Sequence, residues 1–135
     1  MITGLHHIGI AVENLDEAVR LYRDKLGLRL DSIEEVPTER VRVAVLFAGS
    51  QRIELLQPTG DDSPIAAFLV KRGPGIHHIA FQSDDCAGEI QRLAAEDLRL
   101  LDEAPRPGAH GTRCAFVHPK SLGSVLTEIV EDPQV

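Results

Sequence analysis

The sequence predicts an α+β fold of two tandem βαβββ modules that form a cupped mixed sheet. Three observations predict it. One phrase occurs twice, as Leu5-His6-His7-Ile8-Gly9-Ile10 and as Ile76-His77-His78-Ile79-Ala80-Phe81; an internal repeat defines the unit of architecture and so outranks local pattern. Each copy alternates like a strand and opens a segment whose apolar period turns helical. Later in each half comes an apolar strand with one carboxylate, Ile53-Glu54-Leu55-Leu56 and Leu126-Thr127-Glu128-Ile129. If the halves are equivalent, pseudo-twofold symmetry brings two histidines and two glutamates to one centre, and the sheet then surrounds a divalent-metal site.

Residues 4–12 read as the first strand. Asn14 followed by Glu17 forms a capping-box pattern, and Leu15, Ala18, Val19, Tyr22 and Leu26 make the apolar stripe of the helix that follows, with Gly27 to end it. Residues 28–34, 40–47 and 52–56 read as three strands, separated by turn chemistry at Pro37 and at Ala48-Gly49-Ser50. Gln57 to Asp62 breaks the pattern. Ser63-Pro64 then supplies an N-cap and an N1 proline for a linker helix ending near Arg72 and closed by Gly73-Pro74-Gly75. The second half repeats the order: strand 76–82, Asp85 as cap for a helix over 86–96, and strands at 98–102, near 112–118 and over 124–131. The loop from Asp102 to Gly111 has two prolines and two glycines and a length often found in functional loops. The expected organisation is a single domain over 1–135, with module one at about 4–58, the linker helix at about 63–73 and module two at about 76–131.

Composition narrows the function classes. A hydrophobic content of 43% is enough for a core, while a net charge of −7 and few aromatics (four Phe, one Tyr, no Trp) argue against nucleic acid. Cys86 and Cys114 lack metal-ligand spacing and disulfide density, which fits small buried thiols in a reducing compartment. No apolar run approaches a membrane span and the start has no signal-peptide pattern, so a cytoplasmic protein without membrane contact is expected.

Adjacent strand residues point to opposite faces, so either His7 with His78 or His6 with His77 is the inward pair. The pattern leaves both open. Glu54 and Glu128 lie inside apolar runs, where an uncompensated carboxylate is costly. Compensation comes either from an arginine, with Arg42, Arg52 and Arg113 available nearby, or from a cation shared with two neutral imidazoles. Imidazole with carboxylate suits Mn, Co, Ni, Fe or Zn. The acidic pairs Glu34-Glu35, Asp61-Asp62 and Asp84-Asp85 read as loop and cap chemistry.

Several longer segments are more specific. His7-Ile8-Gly9-Ile10-Ala11, Ile53-Glu54-Leu55-Leu56-Gln57-Pro58, Asp62-Ser63-Pro64-Ile65-Ala66, Gly75 to Phe81, and above all His118-Pro119-Lys120-Ser121 leading to Gly123 through Glu128 resemble the methylmalonyl-CoA epimerase family. That family belongs to the vicinal oxygen chelate (glyoxalase-like) superfamily of paired βαβββ modules, and the resemblance runs over nearly the whole chain. It implies metal-dependent epimerisation of methylmalonyl-CoA at C2 through a metal-stabilised enolate, an acyl-CoA substrate and a homodimer. The family's metal ligands fall on His7, His78 and Glu128, with Glu54 at a fourth ligand position that is Gln in some relatives, and Co²⁺ is the metal expected first. Some members place an acid/base glutamate where this chain has Val43. Glu128, Glu54 and the loop residue His110 are therefore the catalytic candidates, and Lys120 and Arg113 the candidates for an anionic coenzyme A tail. A glyoxalase I-type isomerase of a glutathione hemithioacetal and a metal-free small-molecule-binding protein are the rival readings on the same fold.

Overall fold

Strand β1 spans Ile2–Ala11, and its two halves serve different parts of the molecule. In the computed structural model, which describes residues 1–135, one unit comprises His7–His77 and the other Met1–His6 together with His78–Val135.

In the first unit the end of β1 leads to helix α1 (Leu15–Val19), which runs on as a π-helical turn over Arg20–Lys25. Strands β2 (Arg29–Val36), β3 (Val41–Ala48) and β4 (Gln51–Pro58) and helix α2 (Pro64–Arg72) follow. The order is β2-β3-β4-β1, antiparallel except for β4 against β1. The Asn14 side chain accepts the backbone N–H of Glu17, as the capping pattern predicts, and Ser63 Oγ accepts that of Ile65 at the start of α2. Leu15, Ala18 and Val19 of α1 pack on Ala44, Leu46 and Leu55, with Ile10, Ile53 and Tyr22 around them. That covers one face of the strands and leaves His7, Gly9, Val43, Val45, Glu54 and Leu56 on the other, since alternate residues change face.

The second unit repeats the arrangement. Strand β5 (Gly75–Ser83) enters it at His78 and is followed by helix α3 (Cys86–Ala95) and strands β6 (Arg106–Pro107), β7 (Arg113–Val117) and β8 (Thr127–Glu131). The order is β5-β8-β7-β6, with β5 and β8 parallel and the rest antiparallel. Cys86 and Ile90 of α3 pack on Ala115, Val117 and Ile129, so His78, Ala80, Cys114, Phe116 and Glu128 share the opposite face. One further detail is duplicated. Gln57 Oε1 accepts the backbone N–H of Leu15 at 2.6 Å, and Glu131 Oε1 accepts that of Cys86 at 2.9 Å, so each helix start is tied to the strand that bears its module's glutamate.

Three expectations are corrected. Residues 98–102 do not form a strand: Leu100 bridges Val117 and Leu101 N–H donates to Phe116 O, but Asp102 Oδ2 accepts the Phe116 N–H and ends the ladder. The module's short third-position strand is β6, inside the segment read as a loop. Strand β8 starts at Thr127 rather than at 124 because His118 to Ser124 winds through a 3₁₀ turn, with Gly123 and Ser124 both at positive φ. Glu34 and Glu35 are not loop residues but lie on β2, with Glu34 directly opposite Val43. No helix is long and apolar enough to cross a membrane.

Candidate active site and metal centre

Each unit pairs one buried histidine with one buried glutamate. In the first unit Glu54 lies beside Gly9 in the parallel β1–β4 register, and His7, two residues back on β1, shares its face. His7 Nδ1 is 3.4 Å from Glu54 Oε2. In the second unit Glu128 lies beside Ala80 and His78 is again two residues back, with His78 Nε2 3.2 Å from Glu128 Oε1. His7, Glu54, His78 and Glu128 are all at most 8% exposed. The same local construction thus appears twice, a strand residue i whose parallel neighbour is a glutamate and whose i−2 residue is a histidine.

The other member of each His-His pair has different company. His6 Nε2 is 2.8 Å from Asp132 Oδ2 and both are buried, while His77 meets the Phe68 ring edge-on with centroids 5.0 Å apart. The pairing that the sequence pattern left open is thereby assigned: His7 pairs with Glu54 and His78 with Glu128, while His6 meets Asp132 and His77 meets Phe68.

The first unit adds a cation to the pair. Arg52 Nη1 is 3.9 Å from Glu54 Oε2, and the Arg52 guanidinium lies over the Phe47 ring at 5.3 Å. This is the arginine compensation considered from sequence, though at a distance longer than a hydrogen bond. Val43 stands on the same face, paired with Leu56 and one diagonal step from Glu54. In the second unit Phe116, directly opposite Glu128, contacts the His78 ring edge-on at 5.5 Å and has the Arg106 guanidinium over its ring at 5.3 Å. Arg106 was not among the sequence candidates, and its only local signal is a Pro-Arg-Pro-Gly context that reads equally as a turn.

The remaining candidates are placed as follows. His110 occupies the turn Ala109–Gly111 between β6 and β7 in a left-handed conformation (φ 56°), with Thr112 Oγ1 donating to Ala109 O across the turn. Lys120 is exposed in the 3₁₀ turn after β7, where its N–H donates to His118 Nδ1. Arg113 is removed from the His78–Glu128 face by strand parity: it lies on the side of β7 that packs toward α3, where its charge acts on Cys86. Burial pushes the Cys86 thiol up to about 11, with the Glu131 carboxylate adding to the shift, so this thiol is not a nucleophile at neutral pH.

Nitrogen and carboxylate oxygen donors that face each other in two buried, like-built pairs are what a borderline divalent cation takes. Against known proteins, residues 6–116 match the profile of the Glyoxalase/Bleomycin resistance protein/Dioxygenase superfamily. The mitochondrial methylmalonyl-CoA epimerase of Dictyostelium discoideum is 43% identical over 131 residues, covering 94% of this chain and 77% of that protein. The solved methylmalonyl-CoA epimerase from Mycobacterium tuberculosis superposes with a TM-score of 0.93 at 40% identity, over 98% of this chain and 91% of the other. The chain belongs to the methylmalonyl-CoA epimerase family. It is accordingly an enzyme of the epimerase class with that family's mixed α+β fold. A solved methylmalonyl-CoA epimerase in complex with methylmalonyl-CoA and NH₄⁺ is 36% identical with a TM-score of 0.94, covering 100% of this chain and 98% of the other.

Proposed function

We propose that the protein epimerises methylmalonyl-CoA at C2 and that His7, Glu54, His78 and Glu128 together hold one divalent cation, Co²⁺ first among the candidates. The observation that supports this most is the duplicated His–Glu pair, buried in each unit and built on the same parallel register. Two buried carboxylates without a compensating charge are costly to desolvate, by several kcal/mol each, and a shared cation offsets that cost. The complex that a related epimerase forms with methylmalonyl-CoA supports an acyl-CoA substrate.

The chemistry follows from the substrate. The C2 proton lies between a thioester and a carboxylate, and its removal places negative charge on the thioester oxygen. When bound, the cation supplies Lewis-acid stabilisation of that charge. In this reading the Glu128 carboxylate removes the proton from one face, and the donor to the opposite face is unassigned between Glu54 and His110, whichever holds a proton when the enolate forms. Val43 cannot exchange a proton, so the carrier must come from the remaining polar groups. Lys120 is the proposed contact for the coenzyme A tail. A homodimer belongs to the same proposal, as does a cytoplasmic place of work, where Cys86 and Cys114 would stay the free buried thiols that they are.

The test is exchange of the C2 proton of methylmalonyl-CoA in D₂O with added Co²⁺ or Mn²⁺, run beside a methylglyoxal plus glutathione assay. Metal-dependent deuterium at C2 and no turnover of the hemithioacetal is the expected result. No exchange with any metal would sink the epimerase reading.

A further inference from the structure

A single cross-strand row runs from Arg29 on β2 through Phe47 on β3 and Arg52 on β4 to His7 on β1. All four belong to the unit His7–His77, and the row lies on the face that α1 leaves uncovered. Its two guanidiniums share one ring, with carbons 4.9 Å (Arg29) and 5.3 Å (Arg52) from the Phe47 centroid. The two guanidiniums differ: the Arg29 side chain is 65% exposed and pairs with Asp31, whereas that of Arg52 is 17% exposed and lies 3.9 Å from a Glu54 carboxylate oxygen. A guanidinium costs free energy to bury, and cation–π stacking returns part of that cost.

We propose that Arg52 binds the free carboxylate of the acyl group, so that it selects thioesters of dicarboxylic acids over simple acyl thioesters. This rests on the epimerase reading above. Three features support it. Arg52 stands beside His7 on the neighbouring strand, a spacing of about 4.8 Å, so a substrate head seated at His7 is within its reach. The coenzyme A phosphates, at the far end of the pantetheine arm, are not. The planar guanidinium offers paired N–H donors that match a carboxylate in a bidentate fork. Finally, a protein of net charge −7 that must bind an anion beside a buried glutamate needs a local cation. The stack on Phe47 fixes one there.

The experiment measures binding rather than turnover. Calorimetric dissociation constants for malonyl-CoA and propionyl-CoA, which differ by the carboxylate, are obtained with the cobalt-loaded wild type, Arg52→Gln and Arg52→Lys. In Arg52→Gln the preference for malonyl-CoA should fall about tenfold or more, while propionyl-CoA binds as in the wild type, as expected when one charge-assisted interaction is lost. Arg52→Lys keeps the charge beside Glu54 but not the fork, so it should show a smaller fall in the same ratio. If Arg52→Gln fails to fold or to take up cobalt, the ratio in Arg52→Lys decides. An unchanged ratio, or equal weakening of both ligands, overturns the proposal and leaves Arg52 as a counter-ion for Glu54. Failure of the epimerase reading is seen separately, as absence of C2 exchange in the wild type.

Discussion

Val43 and Glu54 show how one substitution reshapes a site. Val43 pairs with Leu56 and Val45 with Glu54, so the carboxylate available to this chain lies one diagonal from where some relatives of the family carry theirs. Val43 is 2% exposed, and a carboxylate introduced there loses a few kcal/mol of hydration unless it finds a partner. Val43→Glu is therefore expected to lower stability while shifting the rate or the pH dependence of C2 exchange, without being required for it. Exchange rates measured against pH for the two proteins check this, and activity confined to Val43→Glu would mean that the wild type has no second proton carrier. Sequence alone identifies Val43 as the departure. It does not show that Glu34 sits across from it on β2, because two adjacent glutamates after a predicted strand look the same whether the strand continues or stops.

At the scale of elements, the repeat extends to how each helix is anchored. Asn14 and Asp85 cap locally, while Gln57 and Glu131, three residues beyond the glutamates of β4 and β8, accept the first helical N–H from across the module. Local caps follow a spacing rule and are readable; the tertiary caps are not, because nothing in Gln57-Pro58 points at Leu15. Gln57→Ala and Glu131→Ala should each cost about 1 kcal/mol, with the larger loss at Glu131, whose charge also meets the positive end of α3. Urea unfolding at unchanged slope measures both. Equal stability of Glu131→Ala and wild type would show that solvent replaces the cap at no cost.

For the molecule as a whole, the proposed cation binds the native state alone, so metal and stability are linked. At a free Co²⁺ concentration of about 100 times Kd the gain is about 2.7 kcal/mol, or about 10 °C in Tm for a chain of this size. Chelation should reverse it. His7→Ala, His78→Ala and Glu128→Ala should each lower bound metal and remove the cobalt-dependent rise in Tm, because each deletes a separate bond. Elemental analysis with thermal melts reads both, and full occupancy in all three variants would eliminate the proposed centre.

The duplication, the local caps, the proline-initiated α2 and the chemistry of the donor set were determined by sequence, since each depends on residue type at fixed spacing. Tertiary structure decided what depends on partners. Strand parity separates the histidines into two sets, but only the tertiary pairing shows that His7 and His78 meet the glutamates Glu54 and Glu128 while His6 meets Asp132. The two residues of β6 are too few to show a period, and the strand-like run at 98–102 is cut short by the Asp102 side chain, a competitor outside any propensity scale. Arg113 and Arg52 are alike in composition and context, yet register sends one toward α3 and sets the other beside Glu54. Periodicity gives the two faces of a strand, and packing assigns each face its environment.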